Sequence, residues 1–238
     1  MRVLMLGSAP MAAEARDWPR APFDLVLAIN NAWRIRADWD VAIHPHDFAV
    51  ERRAKAGPGQ RVVTETEFVP AQNSFGGFVY AGATMAFTAA YWALYALQPK
   101  VIAVYGCDMH YPATGPTHFY GTGAPDPLRA DITLRSLEAK AARLMVLAAR
   151  VGCAMVNLSR GPSRLVFPRA SREASAHASP LPWCPDLAAE ALAREAELGY
   201  LVPSGRYWEE TDRFDPRKLS AVDALWLQAA TRRLRQTA

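Results

Sequence analysis

The apolar residues of this chain fall into short runs divided by polar or glycine-containing breaks, and runs with the strand period alternate with runs of helical period. Val3–Leu6 is a continuous apolar run ending in Gly7-Ser8-Ala9-Pro10, the pattern of a buried strand followed by a turn. Leu25–Ile29 repeats it and ends in Asn30-Asn31, Val41–Ile43 ends in His44-Pro45-His46-Asp47, and Arg61–Val63 is a further short strand. Residues 80–97 read as an apolar helix stopped near Pro99, because proline cannot continue the backbone ladder. Val101–Tyr105 is the clearest strand and ends in Gly106-Cys107-Asp108. An amphipathic helix follows from about Asp131 to Ala149, with Leu134, Leu137, Ala141, Leu144 and Leu147 on one stripe. Gly152 signals its end, and Met155–Leu158 is the last strand of the series.

Strands alternating with helices predict an α/β domain with a mostly parallel sheet flanked by helices. Ligands of such sheets sit beyond the carboxyl ends of the strands, at a topological switch point. Gly7-Ser8, Asn30-Asn31, His44 to Asp47, Gly106 to Asp108 and Asn157 to Ser159 all end strands and therefore share one rim. Residues 161–185, broken by Pro162, Pro168, Pro180, Pro182 and Pro185, read as a linker or covering loop. Asp186 then reads as the N-cap of a helix to Leu198, Tyr200–Trp208 as a small hairpin around Pro203-Ser204-Gly205, and Asp215-Pro216 as the start of a last helix carrying Leu219, Val222, Leu225, Trp226 and Ala229. The expected division is a domain over residues 1–170 and, over 171–238, a Pro-rich linker with a small helical C-terminal appendage.

Composition narrows the classes. Of 238 residues, 51% are hydrophobic and 21% charged, which excludes disorder as the main state. The 27 Lys and Arg against 23 Asp and Glu leave +4, too small an excess to indicate a nucleic-acid partner. Much of the arginine excess lies after residue 160 and at Arg232, Arg233 and Arg235. Cys107, Cys153 and Cys184 are widely spaced with no CxxC, which argues against a disulfide framework or zinc ribbon and for free thiols in a reducing cytoplasm. The apolar run after Arg2 is too short for a signal peptide, and Ala81–Leu97 is short of a membrane span. The expectation is a soluble, cytoplasmic chain, with homo-oligomerisation left open.

Candidate chemistry concentrates on the rim. The Gly7-Ser8-Ala9-Pro10 turn either cradles a phosphate or ribose on its backbone amides or simply turns the chain; it matches neither GxGxxG nor the P-loop. Asn30 and Asn31 either read a base or sugar hydroxyl or cap a turn. His44-Pro45-His46-Asp47 offers His-x-His with a carboxylate, without a third metal ligand fixed by spacing. The segment Gly106-Cys107-Asp108-Met109-His110-Tyr111, followed by Thr117-His118-Phe119-Tyr120-Gly121, carries the most information. A histidine near neutral pKa suits a general base, and tyrosine hydroxyls suit stabilisation of a departing phosphate.

In their order these signals resemble those of the bacterial lipooligosaccharide sialyltransferases and the related Rossmann-like group, which includes motility-associated-factor flagellin glycosylation proteins and hydroxymethylpterin diphosphokinase-like proteins. Gly7-Ser8-Ala9-Pro10 is similar to the family's G-N-G-P-S turn, Asn30 to its strand-ending asparagine, and Ala81-Gly82 to its S-G opening a small-residue helix. Gly106-Cys107-Asp108-Met109-His110 is similar to G-I-D-F-Y, and Thr117-His118-Phe119-Tyr120-Gly121 to S-H-Y-x-G. The resemblance covers roughly residues 1–170. It departs from the family at Ser8, at Ala81 and at His110, where the family has a phosphate-binding tyrosine; Tyr111 stands adjacent.

The resemblance implies a nucleotide-sugar-binding domain and a metal-independent, sialyltransferase-like glycosyltransferase that takes no cofactor. His118 would be its general base, with Tyr111, His110 and Tyr120 at the leaving phosphate. Gly7, Ser8, Ala9, Asn30, Asn31, Gly82, Gly106, Asp108, Asn157 and Ser159 would contact the nucleotide or nucleotide-sugar donor, beside a glycan or small-molecule acceptor. Three alternatives accompany it. One is a Mg-dependent diphosphokinase of the hydroxymethylpterin type, with Asp108 and Asp47 as ligands. Another is a non-catalytic nucleotide-binding module working through its basic C-terminal helix. The last is a metal-dependent hydrolase using His44, His46 and Asp108.

Overall fold

A computed structural model describes residues 1–111, 114–122 and 129–231. The strands fall where the apolar runs predict them: β1 (Arg2–Leu6), β2 (Leu25–Ile29), β3 (Val41–Ile43) and β4 (Arg61–Val63). Then come α1 (Glu65–Asn73), α2 (Phe78–Ala81), α3 (Met85–Leu97), β5 (Val101–Tyr105), α4 (Leu137–Arg150), β6 (Ala154–Asn157) and the single turn α5 (Arg172–Ser175). Two helices, α6 (Pro185–Leu198) and α7 (Pro216–Thr231), complete the described chain.

Among the described residues the six strands form one all-parallel sheet in the order β4-β3-β2-β1-β5-β6. The fold is a Rossmann-like α/β fold with a helical C-terminal part. From β1 the chain builds outward to β4, then returns through α1, α2 and α3 to place β5 on the other side of β1, in register from Arg2–Val101 to Leu6–Tyr105. That reversal makes the β1–β5 border the topological switch point.

The period-two alternation of β1 divides its side chains between two cores. Val3 and Met5 face the helical layer with Leu27, Ile102, Val104, Phe87, Trp92 and Leu144. Leu4 and Leu6 face Ala12, Ala15, Ile35 and Trp39, which sit on or beside the 3-10 turns Pro10–Asp17 and Asn30–Arg34. Connections this short cover the second face thinly and leave the strand ends open.

Several boundaries differ from the sequence expectation. The apolar segment 80–97 is two helices, because Gly82 takes φ +88 and Thr84 then caps α3, its Oγ1 accepting from the Phe87 amide at 3.3 Å. Asp131 does not begin the long amphipathic helix; it caps the 3-10 turn Ile132–Leu134, and Ser136 caps α4. Pro185, not an Asp186 cap, opens α6. Residues 200–208 form no hairpin. Tyr200, Val202 and Tyr207 are buried in a cluster with Val79, Tyr80, Phe214 and Leu219, so their apolar side chains face α2 and α7 instead of pairing with one another.

Helix α7 packs on α4, and α6 packs on α7. Val222, Trp226, Ala229, Ala188 and Ala191 belong to the same apolar cluster as the sheet's helical face. Two buried ion pairs fasten them: Lys140 Nζ to Asp223 Oδ1 at 2.9 Å, and Arg143 to Glu195 through Nε–Oε1 at 2.8 Å and Nη2–Oε2 at 2.7 Å. The charges are fully matched, since Arg143 also donates to the Tyr91 hydroxyl and the Phe75 carbonyl, and Trp226 Nε1 donates to Glu195. Arg232, Arg233 and Arg235, read from the sequence as a basic helix end, lie outside the described residues. Among the described residues no helix is long and apolar enough to cross a membrane.

Candidate functional site

A cleft of about 1330 Å³ opens over the carboxyl ends of the strands. Its floor is the switch point. The Gly7 amide donates to the Tyr105 carbonyl at 2.8 Å and the Ala9 amide to the Gly106 carbonyl at 3.0 Å, so the first turn lies directly against the end of β5. The approach is close enough that a Cβ on Gly7 would stand 2.3 Å from the Gly106 oxygen. Small residues at this turn are therefore required by the backbone packing itself.

The loop bearing His118 is tied to the same turn. His118 and Gly121 exchange backbone hydrogen bonds at 3.0 and 3.1 Å, and the Phe119 amide donates to the Ser8 carbonyl at 3.0 Å. His118 is held at Nδ1 by the Thr117 hydroxyl at 2.9 Å and stacks on Tyr120, centroids 4.9 Å apart, with Tyr111 at 6.2 Å. Burial lowers its pKa below the ordinary 6.5, so the imidazole is neutral at pH 7 and able to accept a proton.

Asp108, at the end of β5, is buried to 3% exposure. Its Oδ1 accepts from Asn157 Nδ2 at 3.0 Å, whereas Oδ2 is buried with no partner among the described residues. Asn30 takes φ +51 at the end of β2 and leaves a buried Oδ1 likewise without a partner among them. Both residues line the cleft, but these two acceptor atoms are themselves sealed from solvent. Ala83, Thr84, Met85 and Ala86 bring the positive end of the α3 dipole to the same space.

Of the residues singled out in the sequence, Gly7, Ser8, Ala9, Asn30, Gly106, Asp108, His110, Tyr111, His118 and Tyr120 line this one cleft. Four do not. Asn31 is buried in its 3-10 turn, and Gly82 caps α2, facing Phe87 and Lys140. Asn157 fixes Asp108 from beneath, with its Oδ1 accepting from the Ser159 amide, and the Ser159 hydroxyl accepts from the Gly106 amide. These two act by positioning. His44 is buried, its Nδ1 2.9 Å from its neighbour's carbonyl, while the His46 side chain is largely exposed beside Glu65. His44, His46 and Asp108 do not converge; among the described residues no three His, Cys, Asp or Glu stand close enough to hold a metal ion. Cys107 lines the cleft, but burial raises its thiol pKa well above the ordinary value, which makes it unreactive.

The wall facing the His118 loop was not anticipated. It comes from Arg129, Asp131 and the C-terminal segment 204–208. Asp131 Oδ2 accepts from the Tyr207 hydroxyl at 2.6 Å and from Arg129 Nε at 3.0 Å, and Arg129 Nη2 donates to the Ala83 carbonyl at 3.1 Å. Burial raises the Tyr207 hydroxyl to about 12, helped by its bond to Asp131. The one available signal was the Tyr207-Trp208 pair, an aromatic dipeptide next to a Pro-Ser-Gly turn. No protein-family model, curated protein or solved structure matches this chain.

Proposed function

We propose that the chain is a metal-independent glycosyltransferase, sialyltransferase-like in its chemistry, that moves a sugar from a nucleotide-activated donor to an acceptor hydroxyl. The observation that carries this reading is the 3.0 Å bond from the Phe119 amide to the Ser8 carbonyl, which joins a neutral histidine to a phosphate-type turn at the switch point. The donor phosphate lies at the N-terminal end of α3, beside the Gly7-Ser8-Ala9 turn, where the helix dipole favours an anion; the Gly7 and Ala9 amides are already bonded to β5 and its turn. Asn30 and Asp108, both on the cleft, accept from donor hydroxyls.

His118 takes the proton of the acceptor hydroxyl as that oxygen bonds to the anomeric carbon. The anomeric carbon–phosphate oxygen bond breaks with its electron pair, and the nucleotide leaves as its phosphate anion. Tyr111, Tyr120 and His110 donate hydrogen bonds to that developing charge. A magnesium-dependent diphosphoryl transfer is the second reading. It draws on Asp108 and Asp47, both on the cleft, as the one or two carboxylates magnesium takes beside substrate phosphates.

A thermal-shift panel of nucleotides and nucleotide sugars, run with magnesium and with EDTA, separates these readings. Saturation with a cognate nucleotide sugar is expected to raise Tm by roughly 5–10 °C at a hundredfold excess over Kd, equally in EDTA. A shift given only by nucleoside triphosphates and lost in EDTA selects diphosphoryl transfer. No shift with any nucleotide overturns both.

A further inference from the structure

The cleft contains an aromatic ring that the proposed chemistry leaves unused. Trp208 is 56% exposed although it lines the cleft. It stands edge-on to Tyr207, with ring centroids 5.4 Å apart and planes at 78°. Tyr207 in turn is stacked on Phe78 at 6.3 Å and tied by its hydroxyl to Asp131 and Arg129. Gly205 bends the strap onto Val69 and Phe78 with φ +77; a Cβ there would meet both at 3.1 Å.

The result is an exposed aromatic face set against Tyr207 in a concave site of mixed polar and apolar lining. Arg206 and Ser204 flank it as donors, and Glu65 Oε2 is a further buried acceptor on the cleft without a partner among the described residues. An apolar face beside fixed hydrogen-bonding groups matches the two-sided chemistry of a pyranose, whose axial C–H bonds lie on an aromatic ring while its equatorial hydroxyls reach donors and acceptors. The Gly7–Ala9 turn lies on the cleft floor with the His118 loop bonded to it. A nucleotide on the strand ends leaves the strap free for a second substrate.

We infer that the Tyr207–Trp208 strap is a saccharide subsite and that Trp208 is the ring on which the acceptor glycan lies. That the saccharide is the acceptor rests on the glycosyl-transfer reading; that a saccharide binds does not.

The test titrates the intact chain with galactose, glucose, N-acetylglucosamine, lactose and chitobiose while following tryptophan fluorescence. CMP, UDP and GDP are titrated in parallel by calorimetry. At least one saccharide is expected to change the emission. Trp208→Ala is expected to weaken that saccharide about 5- to 10-fold, with nucleotide affinity unchanged, and Trp208→Tyr to restore most of the loss. Because the side chain is exposed, neither variant disturbs the core. No response to any of the saccharides overturns the inference, as does a Trp208→Ala variant that loses nucleotide and not saccharide affinity. Turnover plays no part in these readouts, so a failed transferase assay with an intact saccharide response overturns the proposed reaction alone.

Discussion

At the scale of single residues the site is defined by what its groups lack. Among the described residues Asp108 Oδ2 and Asn30 Oδ1 are buried acceptors with no donor, an arrangement costing about 1–3 kcal/mol each. His118 is the complement, a base kept neutral by burial. The sign of that shift gives a prediction. The unfolded chain protonates His118 near 6.5, before the native chain does, so native stability is full above that value. The penalty sets in as pH falls past it and is complete below the folded value. If His118 is the base, the acid limb of kcat/KM lies below pH 6.5. A pH–rate profile of the transferase reaction measures it, and a limb at or above 6.5 contradicts the assignment. His118, Asp108 and Asn30 were legible in the sequence because each ends a strand or sits in a polar loop. Trp208 was not, because nothing local says that a segment more than eighty residues beyond β5 folds back over the strand ends, and Arg129 was not, because its partners Asp131 and Tyr207 meet only in the folded chain.

At the scale of elements, apolar runs located every strand, since burial on both faces of a parallel sheet leaves continuous runs such as Val101–Tyr105. Helix starts were less legible. The break at Gly82 hides in an apolar segment, because one positive φ leaves no trace in hydropathy. The supposed hairpin failed because Tyr200, Val202 and Tyr207 bury against α2, a tertiary preference that outweighs local turn chemistry. The turn after β1 is the element most exposed to test. Gly7→Ala places a methyl against the Gly106 carbonyl, a backbone atom that cannot rotate away. The expected loss is about 1–3 kcal/mol in urea unfolding, together with loss of nucleotide binding. Unchanged stability would show that the turn and β5 are not in the contact described.

At the scale of the whole molecule, the parallel sheet supplies a rim and the C-terminal helices supply its missing wall. The Arg143–Glu195 and Lys140–Asp223 pairs hold α6 and α7 on α4, and the segment between those helices carries the Tyr207–Trp208 strap to the cleft. The cleft opens over the strand ends, with the Gly7–Ala9 turn and the 204–208 segment both in its lining. The modest +4 charge plays no visible part; the cleft mixes Arg52, Arg129 and Arg206 with Asp47, Glu65, Asp108 and Asp131. The central claim is that this cleft binds a nucleotide sugar and that His118 removes the acceptor's proton. It is tested most directly by His118→Ala, assayed at saturating donor beside a calorimetric titration of the same donor. The expected result is a fall in kcat of about 10²–10⁴-fold with donor Kd unchanged. A variant that keeps its turnover, or that loses donor binding along with it, would contradict it.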